Sequence, residues 1–273
     1  MFQAMIFAAG MGTRLKPITD KMPKAMVPVG GEPLIKILID KLAAAGVERI
    51  VVNVHHFASQ ITDYLKENSN FGLDIRISDE RDMLLETGGG LKKAEELFDA
   101  RYPILIHNVD ILSNVNLKDF YFADRKTMCP DCGIYHATAD ATLLVSERKT
   151  SRYLIFNKYM MLVGWINIEK GEIKSPYPEI KNMEKELVDS SREGRIEFLK
   201  KNYNLYAFSG IHTFSPNLFS LMNGWPDKFP IMDFYLTVCR RAKIKGIVAN
   251  NLRLMDVGKL DTLSMADDFL KTL

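Results

Sequence analysis

Cysteine is scarce in this sequence: Cys129, Cys132 and Cys239 are the only three in 273 residues. That is too few for a disulfide framework. Neither sign of charge is in excess, since 36 lysines and arginines face 34 aspartates and glutamates for a formal net charge of +2. Such a balance gives no global field to gather nucleic acid or an anionic membrane. No apolar run approaches the ~20 residues of a membrane-spanning helix. The first residues, MFQAMIFAA, lack a basic n-region and run straight into a glycine loop, so they read as a strand and not as a signal peptide. Internal repeats, low-complexity tracts and a clear linker are also missing from the sequence. These absences predict a protein of a reducing cytoplasm, without nucleic-acid or membrane partners. A homo-oligomer stays open.

What is present suits one large soluble domain. Hydrophobic residues make up 47% and charged residues 26%, ordinary values for a globular chain. Strand and helix signals alternate through the first third. Ala4 to Ala8 is a short apolar run, Leu34 to Ala45 has helical periodicity ending at Gly46, and RIVVNV (Arg49 to Val54) is β-branched. Ser59 to Leu65 reads as a helix, Leu73 to Ser78 as a strand, Gly90 to Phe98 as a helix and Pro103 to His107 as a buried strand. This rhythm predicts an α/β fold, a three-layer Rossmann-like sandwich around a mostly parallel mixed sheet. Later strands are expected at Ala141 to Val145, Tyr153 to Phe156 and Tyr206 to Phe214. Residues 170–204, rich in Lys, Glu, Ser and Asn, read as a helix-bearing surface excursion, and Thr262 to Leu270 as a closing amphipathic helix.

Ligands of such sheets sit beyond the carboxyl ends of the strands, and two motifs fall there. The first is Ala8-Ala9-Gly10-Met11-Gly12-Thr13-Arg14, followed by Pro23-Lys24. Glycines after a strand let backbone N–H groups approach an anion, and Arg14 and Lys24 add two cations. Leu15 stands where a dinucleotide fingerprint has its third glycine, and the loop is not a P-loop either. The second is Asn108-Val109-Asp110 after a later strand.

The stretch from Ala8 to Leu34, GxGTRLxPxT…PKxMxPVxGxPLI, resembles the signature of the sugar-phosphate nucleotidyltransferases. That group includes mannose-1-phosphate guanylyltransferases, glucose-1-phosphate thymidylyl- and uridylyltransferases and N-acetylmuramate-1-phosphate uridylyltransferases. Weaker similarity continues through Asn53 to His56, Glu86 to Gly90, Asn108 to Asp110, Phe208 to Ile211 and Asp256 to Gly258. The resemblance implies a GT-A-like fold over residues 1–273, with a nucleotide-binding half to about residue 115 and a sugar-binding half beyond it. It also implies condensation of a nucleoside triphosphate with a sugar 1-phosphate, of mannose, heptose or muramate type.

The roles it implies are residue by residue. Ala8, Ala9, Gly10, Gly12 and Thr13 would wrap the triphosphate with Arg14 on its phosphates, and Lys24 would neutralise charge between the two substrates. Glu86, Thr87, Gly89 and Gly90 would form the nucleobase loop, beside Asn108. Gly210 and Ile211 would lie under the sugar ring and Asn167 against the sugar. Asp110 and Asp256 would hold Mg2+, a hard ion suited to two carboxylates plus substrate phosphates. Departures from the family pattern are Val109 in place of glycine, Met255 in place of tryptophan, and no Glu-Lys-Pro motif near Val163 to Asn167. Arg152 and Lys174 are alternative grips on the sugar phosphate. A catalytically inactive nucleotide-sugar sensor is the competing expectation, opposed by the presence of Arg14, Lys24, Asp110 and Asp256 together. A glycosyltransferase would want a D-x-D motif, which is missing.

Cys129-Pro130-Asp131-Cys132, with His136 downstream, is a single C-x-x-C. Tetrahedral zinc needs two more nitrogen or sulfur donors than that pair supplies. Purified protein is therefore expected to carry no stoichiometric zinc, and Cys129→Ser with Cys132→Ser to keep near-normal activity. Elemental analysis finding about one zinc per chain, lost in the double variant, would contradict this.

Overall fold

Strand Gln3–Phe7 is buried at every position, and it forms the spine of a parallel sheet. Arg49–Val54 lies on one side of it and Ile104–Asn108 on the other, with Met5 opposite Val51 and Ile106. Asp74–Asp79 extends the sheet beyond Arg49–Val54. Near-continuous Val, Ile and Leu runs suit strands covered on both faces. In this computed structural model, residues 1–124 and 138–273 are described, so Cys129, Cys132 and His136 lie outside the described residues.

Two compact units divide the chain. The first comprises Met1–Phe122, Thr213–Pro230 and Asn251–Leu273, and the second Ala123–His212 and Ile231–Asn250. In the first, helix Leu34–Ala44 buries Leu34, Ile35, Leu38, Ile39 and Leu42 on one stripe, the i, i+4 spacing of an amphipathic helix. Gly46 follows at φ 88°, a left-handed position that stops the helix at no side-chain cost. Helix Ala58–Glu67 buries Ala58, Ile61 and Leu65 in the same way. The closing helix runs Leu260–Lys271, slightly longer than the sequence pattern predicts.

Helix Glu86–Lys93 differs from expectation. The resemblance makes Glu86 to Gly90 a loop, and the sequence pattern places a helix over Gly90 to Phe98, although glycine disfavours helix interiors by about 1 kcal/mol each. Here Gly88, Gly89 and Gly90 are inside the helix and buried. A Cβ on Gly88 would stand 2.3 Å from the Phe229 ring, and one on Gly89 1.8 Å from the Asp227 carbonyl oxygen. The Gly88 N–H donates to the Phe229 carbonyl at 2.8 Å, and the Phe229 N–H donates to the Leu85 carbonyl at 3.2 Å. Backbone contact with segment 227–229 overrides helix propensity, and only glycine permits that approach.

In the second unit, strands Arg152–Phe156, Leu162–Asn167 and Glu172–Lys174 run antiparallel to their neighbours. Asn204–Tyr206 pairs antiparallel with Arg152–Phe156. Ala141–Ser146 pairs parallel with Ile244–Val248. Residues 170–204 carry helices Pro178–Asn182, Glu184–Leu187 and Arg192–Lys200. They are more than a surface excursion, because Ile180, Leu187 and Leu199 join Ile155, Ile166, Ile168 and Ile173 in one apolar core. Among the described residues no helix is long and apolar enough to cross a membrane.

Arg195 fastens that excursion. Its buried guanidinium donates to the carbonyls of Ile168, Glu169, Leu187 and Val188 at 2.9, 2.7, 3.0 and 3.2 Å. Arg195→Met keeps the apolar stem but orphans these acceptors. It is expected to cost about 3 kcal/mol in chemical denaturation, since bonds to a charged donor are worth about 1.5–3 kcal/mol each and are not additive. A cost below about 1 kcal/mol would contradict that role.

Candidate active site

The chain leaves strand Gln3–Phe7 at Ala8 and Ala9, both nearly fully buried, and turns back on itself at Gly12. There φ is 63° and a Cβ would meet Thr19 Cγ2 at 2.8 Å and Lys24 Cβ at 3.2 Å. The Gly12 carbonyl accepts the Leu15 N–H at 2.8 Å and the Thr19 hydroxyl at 2.9 Å. The glycine loop is thus folded onto the segment that carries Lys24. Thr13 and Arg14 follow in the short 3-10 helix Thr13–Leu15.

Asp110 comes just after strand Ile104–Asn108. Asp256 ends the short strand Leu254–Asp256, antiparallel to Ile111–Ser113 with Asp256 opposite Ile111. The Val257 N–H donates to the Asp110 carbonyl at 2.8 Å. Two residues 146 positions apart, counted as 256 minus 110, are thereby made neighbours by backbone pairing. The Lys24 ammonium donates to Asp110 Oδ2, with both side chains mostly buried.

Arg14 and Lys24 meet the second carboxylate at Gly258. A Cβ built there would stand 2.5 Å from Asp256 Oδ1, 2.7 Å from Arg14 Nη2 and 3.2 Å from Lys24 Nζ. Any larger residue at 258 would drive these groups apart. Burial, and then the charge of Asp110, push the Asp256 carboxyl above its usual range, against the pull of Lys24 and Arg14. Among the described residues no group of three or more His, Cys, Asp or Glu is arranged to hold a metal ion. Asp110 and Asp256 are a pair, so a cation held by them would need further oxygens from its substrates.

A cavity of about 400 Å3 opens beside these groups within the first unit. Its walls include Ala8, Ala9, Gly10, Lys24, Glu86, Thr87, Asn108 and Asp110 of the residues singled out by sequence. Val109 is on the wall as well, its N–H donating to the Phe7 carbonyl at 3.2 Å. Gly89 and Gly90 are not on that wall. Gly89 packs on the Asp227 carbonyl, and a Cβ on Gly90 would lie 2.6 Å from Glu80 Oε1. Both glycines thus allow close packing of the helix.

Sequence reasoning assigned no role to two buried residues here, Asn53 on the wall and Glu80 bonded to it. The Ala8 N–H donates to Asn53 Oδ1 at 2.8 Å, Asn53 Nδ2 donates to Glu80 Oε1 at 2.7 Å, and the Leu85 N–H donates to Glu80 Oε2 at 3.1 Å. Burial pushes the Glu80 carboxyl up, opposed by the bonds from Asn53 and Leu85. An amide inside the apolar run RIVVNV is the available signal, since a buried polar side chain requires a partner.

Three of the singled-out residues belong to the second unit. Asn167 Oδ1 accepts the N–H groups of Glu169 and Lys170 at 3.1 and 3.3 Å, closing the turn after its strand. Gly210 has φ 73° within strand Asn204–Phe214, and the Ile211 side chain is fully buried. Of the alternative cations, Lys174 stands 3.4 Å from Asp233 Oδ1 and 5.5 Å over the Trp165 ring. Arg152 is exposed at the start of its strand.

Residues 3–129 match the nucleotidyl transferase family model. Over 109 residues the chain is 48% identical to an N-acetylmuramate alpha-1-phosphate uridylyltransferase of Caulobacter vibrioides, a match covering 39% of this chain and 45% of that protein. Over 119 residues it is 38% identical to a mannose-1-phosphate guanyltransferase of Neurospora crassa, covering 43% and 32%. The chain thus spans less than half the length of these curated relatives. Among solved structures, a UDP-glucose pyrophosphorylase complexed with UDP-glucose superposes with a TM-score of 0.70 at 17% identity, covering 100% of this chain and 99% of that one. The inositol-1-phosphate CTP transferase of T. maritima gives 0.68 at 14% identity, covering 99% and 95%. Residues 3–129 thus resemble the nucleotidyl transferase family, and the chain shares the fold of those solved structures.

Proposed function

We propose that this protein is a sugar 1-phosphate nucleotidyltransferase, joining a nucleoside triphosphate to a sugar 1-phosphate and releasing pyrophosphate. The observation that carries the reading is the meeting of Arg14, Lys24 and Asp256 at Gly258, with Lys24 bonded to Asp110, beside a cavity of about 400 Å3. The names of the relatives support the substrate class, and a muramate- or mannose-type sugar phosphate is the reading they favour.

The chemistry asks little of a general base, because a sugar phosphate oxygen is already anionic near neutral pH. The barrier lies in bringing two polyanions together and carrying the charge of the departing pyrophosphate. Positioning and electrostatic stabilisation dominate such transfers. In this reading the loop Ala8–Gly12 receives the triphosphate, Arg14 steadies its phosphates, and Lys24 offsets charge where the two phosphates meet. The wall of Glu86 and Thr87 faces the nucleoside. Asn167, Gly210 and Ile211 are carried into the reading as sugar-side residues from the resemblance.

Asp110 and Asp256 are the residues that would hold Mg2+, and the fit rests on the donor set. Two hard carboxylates held against each other, one of them pushed toward protonation, gain from a shared divalent cation. When bound, the ion would supply Lewis-acid polarisation of phosphate oxygens and a template for both substrates.

Turnover is expected to vanish in excess chelator and return with added Mg2+. Asp110→Asn and Asp256→Asn should each lower kcat roughly 10³-fold, the scale of losing a preorganised electrostatic group, with circular dichroism unchanged. Full activity in chelator would contradict the metal assignment.

Lys24→Ala is expected to lower kcat about 10²–10³-fold while moving the nucleotide KM little, because its charge acts chiefly in the transition state. A variant with normal kcat and a raised nucleotide KM would make Lys24 a uniform binding residue instead.

A further inference from the structure

Glu80 is fully buried, at 0% exposure, yet both of its carboxylate oxygens are met by neutral donors. Burying a carboxylate is costly unless its oxygens are satisfied. A glutamine of the same shape would avoid most of that cost. The local bonding shows why an acid is needed.

The bonds run in one direction. The Ala8 N–H can only donate, so it fixes Asn53 Oδ1 as acceptor. Asn53 must then present its amide hydrogens, through Nδ2, to Glu80 Oε1. The Leu85 N–H, also only a donor, takes Glu80 Oε2. Position 80 therefore receives two donors and must offer two acceptors. Glutamate does so; glutamine offers one. Its backbone is held as well, since the Glu80 N–H donates to the Val54 carbonyl at 2.8 Å and the Met83 N–H donates to the Glu80 carbonyl at 3.0 Å. A Cβ on Gly90 would lie 2.6 Å from Glu80 Oε1 and 3.0 Å from Asn53 Nδ2, so the helix is seated against this bond.

Both ends of the chain of bonds border the same cavity. Ala8 opens the glycine loop, while Leu85 sits between Leu84 and Glu86, both of which line the cavity. We infer that Glu80 is a positioning residue that fixes these two stretches of the cavity lining relative to each other through Asn53 and the Leu85 N–H, and so sets nucleotide affinity without touching the reacting phosphates. The inference rests on the transferase reading for nucleotide as the cavity's occupant, and the binding measurements test it apart from turnover.

The test exchanges the two side chains. In Glu80→Gln, either the Leu85 N–H loses its acceptor or Asn53 turns over and faces the Ala8 N–H donor to donor. In the double variant Asn53→Asp with Glu80→Gln, every bond is restored with its partner roles rearranged. The Ala8 N–H meets one oxygen of the carboxylate now at position 53, and the amide now at position 80 donates to the other. The carbonyl of that amide accepts the Leu85 N–H. The net charge is also unchanged. ATP, CTP, GTP, UTP and dTTP would each be titrated calorimetrically against wild type and both variants, with kcat and both KM values where wild type turns over.

Glu80→Gln is expected to weaken the best-bound nucleotide at least 10-fold, with kcat within about 3-fold and the sugar phosphate KM unmoved. The double variant should return to within about 3-fold of wild type. Should Glu80→Gln fail to fold, a folded double variant of near wild-type affinity supports the inference equally. Unchanged affinity in Glu80→Gln, or a double variant no better than the single one or itself unfolded, would overturn it. Wild type that binds nucleotide without turnover removes the transferase reading and leaves the affinities to decide this inference. Wild type that binds none of the five removes both.

Discussion

Two carboxylates and two cations, three of them closing on one glycine and the fourth bonded to Lys24, are the constraint on which the rest of this structure depends. Asp110 and Asp256 repel, and burial raises the cost of ionising Asp256. Lys24 and Arg14 offset that cost by closing on the same point, where Gly258 leaves no room for a side chain. Such a cluster is poorly suited to stability alone, since buried ion networks often contribute little against their desolvation. It suits chemistry in which charge must move between polyanions.

The fold supplies this cluster from the carboxyl ends of parallel strands, where ligands of α/β sheets gather. Strand Gln3–Phe7 delivers the loop, Ile104–Asn108 delivers Asp110, and the pairing of Leu254–Asp256 with Ile111–Ser113 brings Asp256 back to it. Asn53 and Glu80 tie the loop to the start of helix Glu86–Lys93. The start of the glycine loop thus rests on buried bonds within one unit.

Much of this is legible in the residues. Strand Arg49–Val54 is expected with the bounds observed, and helix Leu34–Ala44 within one residue, because apolar periodicity and Gly46 mark them. The GxGTRL…PK segment points to Arg14 and Lys24 as a pair, and both reach Gly258. Where the reading fails, tertiary contacts outweigh local propensity. Three consecutive glycines read as a loop until the backbone of 227–229 is seen against them. Glu80 carries no motif, and its role emerges only once Asn53 and Leu85 are in place around it. The core of residues 170–204 is hidden because its apolar side chains are spaced among many charges and meet strands distant in sequence.

The central claim is that this site joins two phosphorylated substrates and does not merely bind one. Pyrophosphate release is the direct measure, taken across ATP, CTP, GTP, UTP and dTTP against several sugar 1-phosphates with Mg2+, including mannose and N-acetylmuramate forms. The account predicts that release requires both partners, is selective for particular pairs, and matches a nucleoside diphosphate sugar mole for mole. Release from a triphosphate alone at the same rate, or no release from any pair by a folded protein that binds nucleotide, would contradict it.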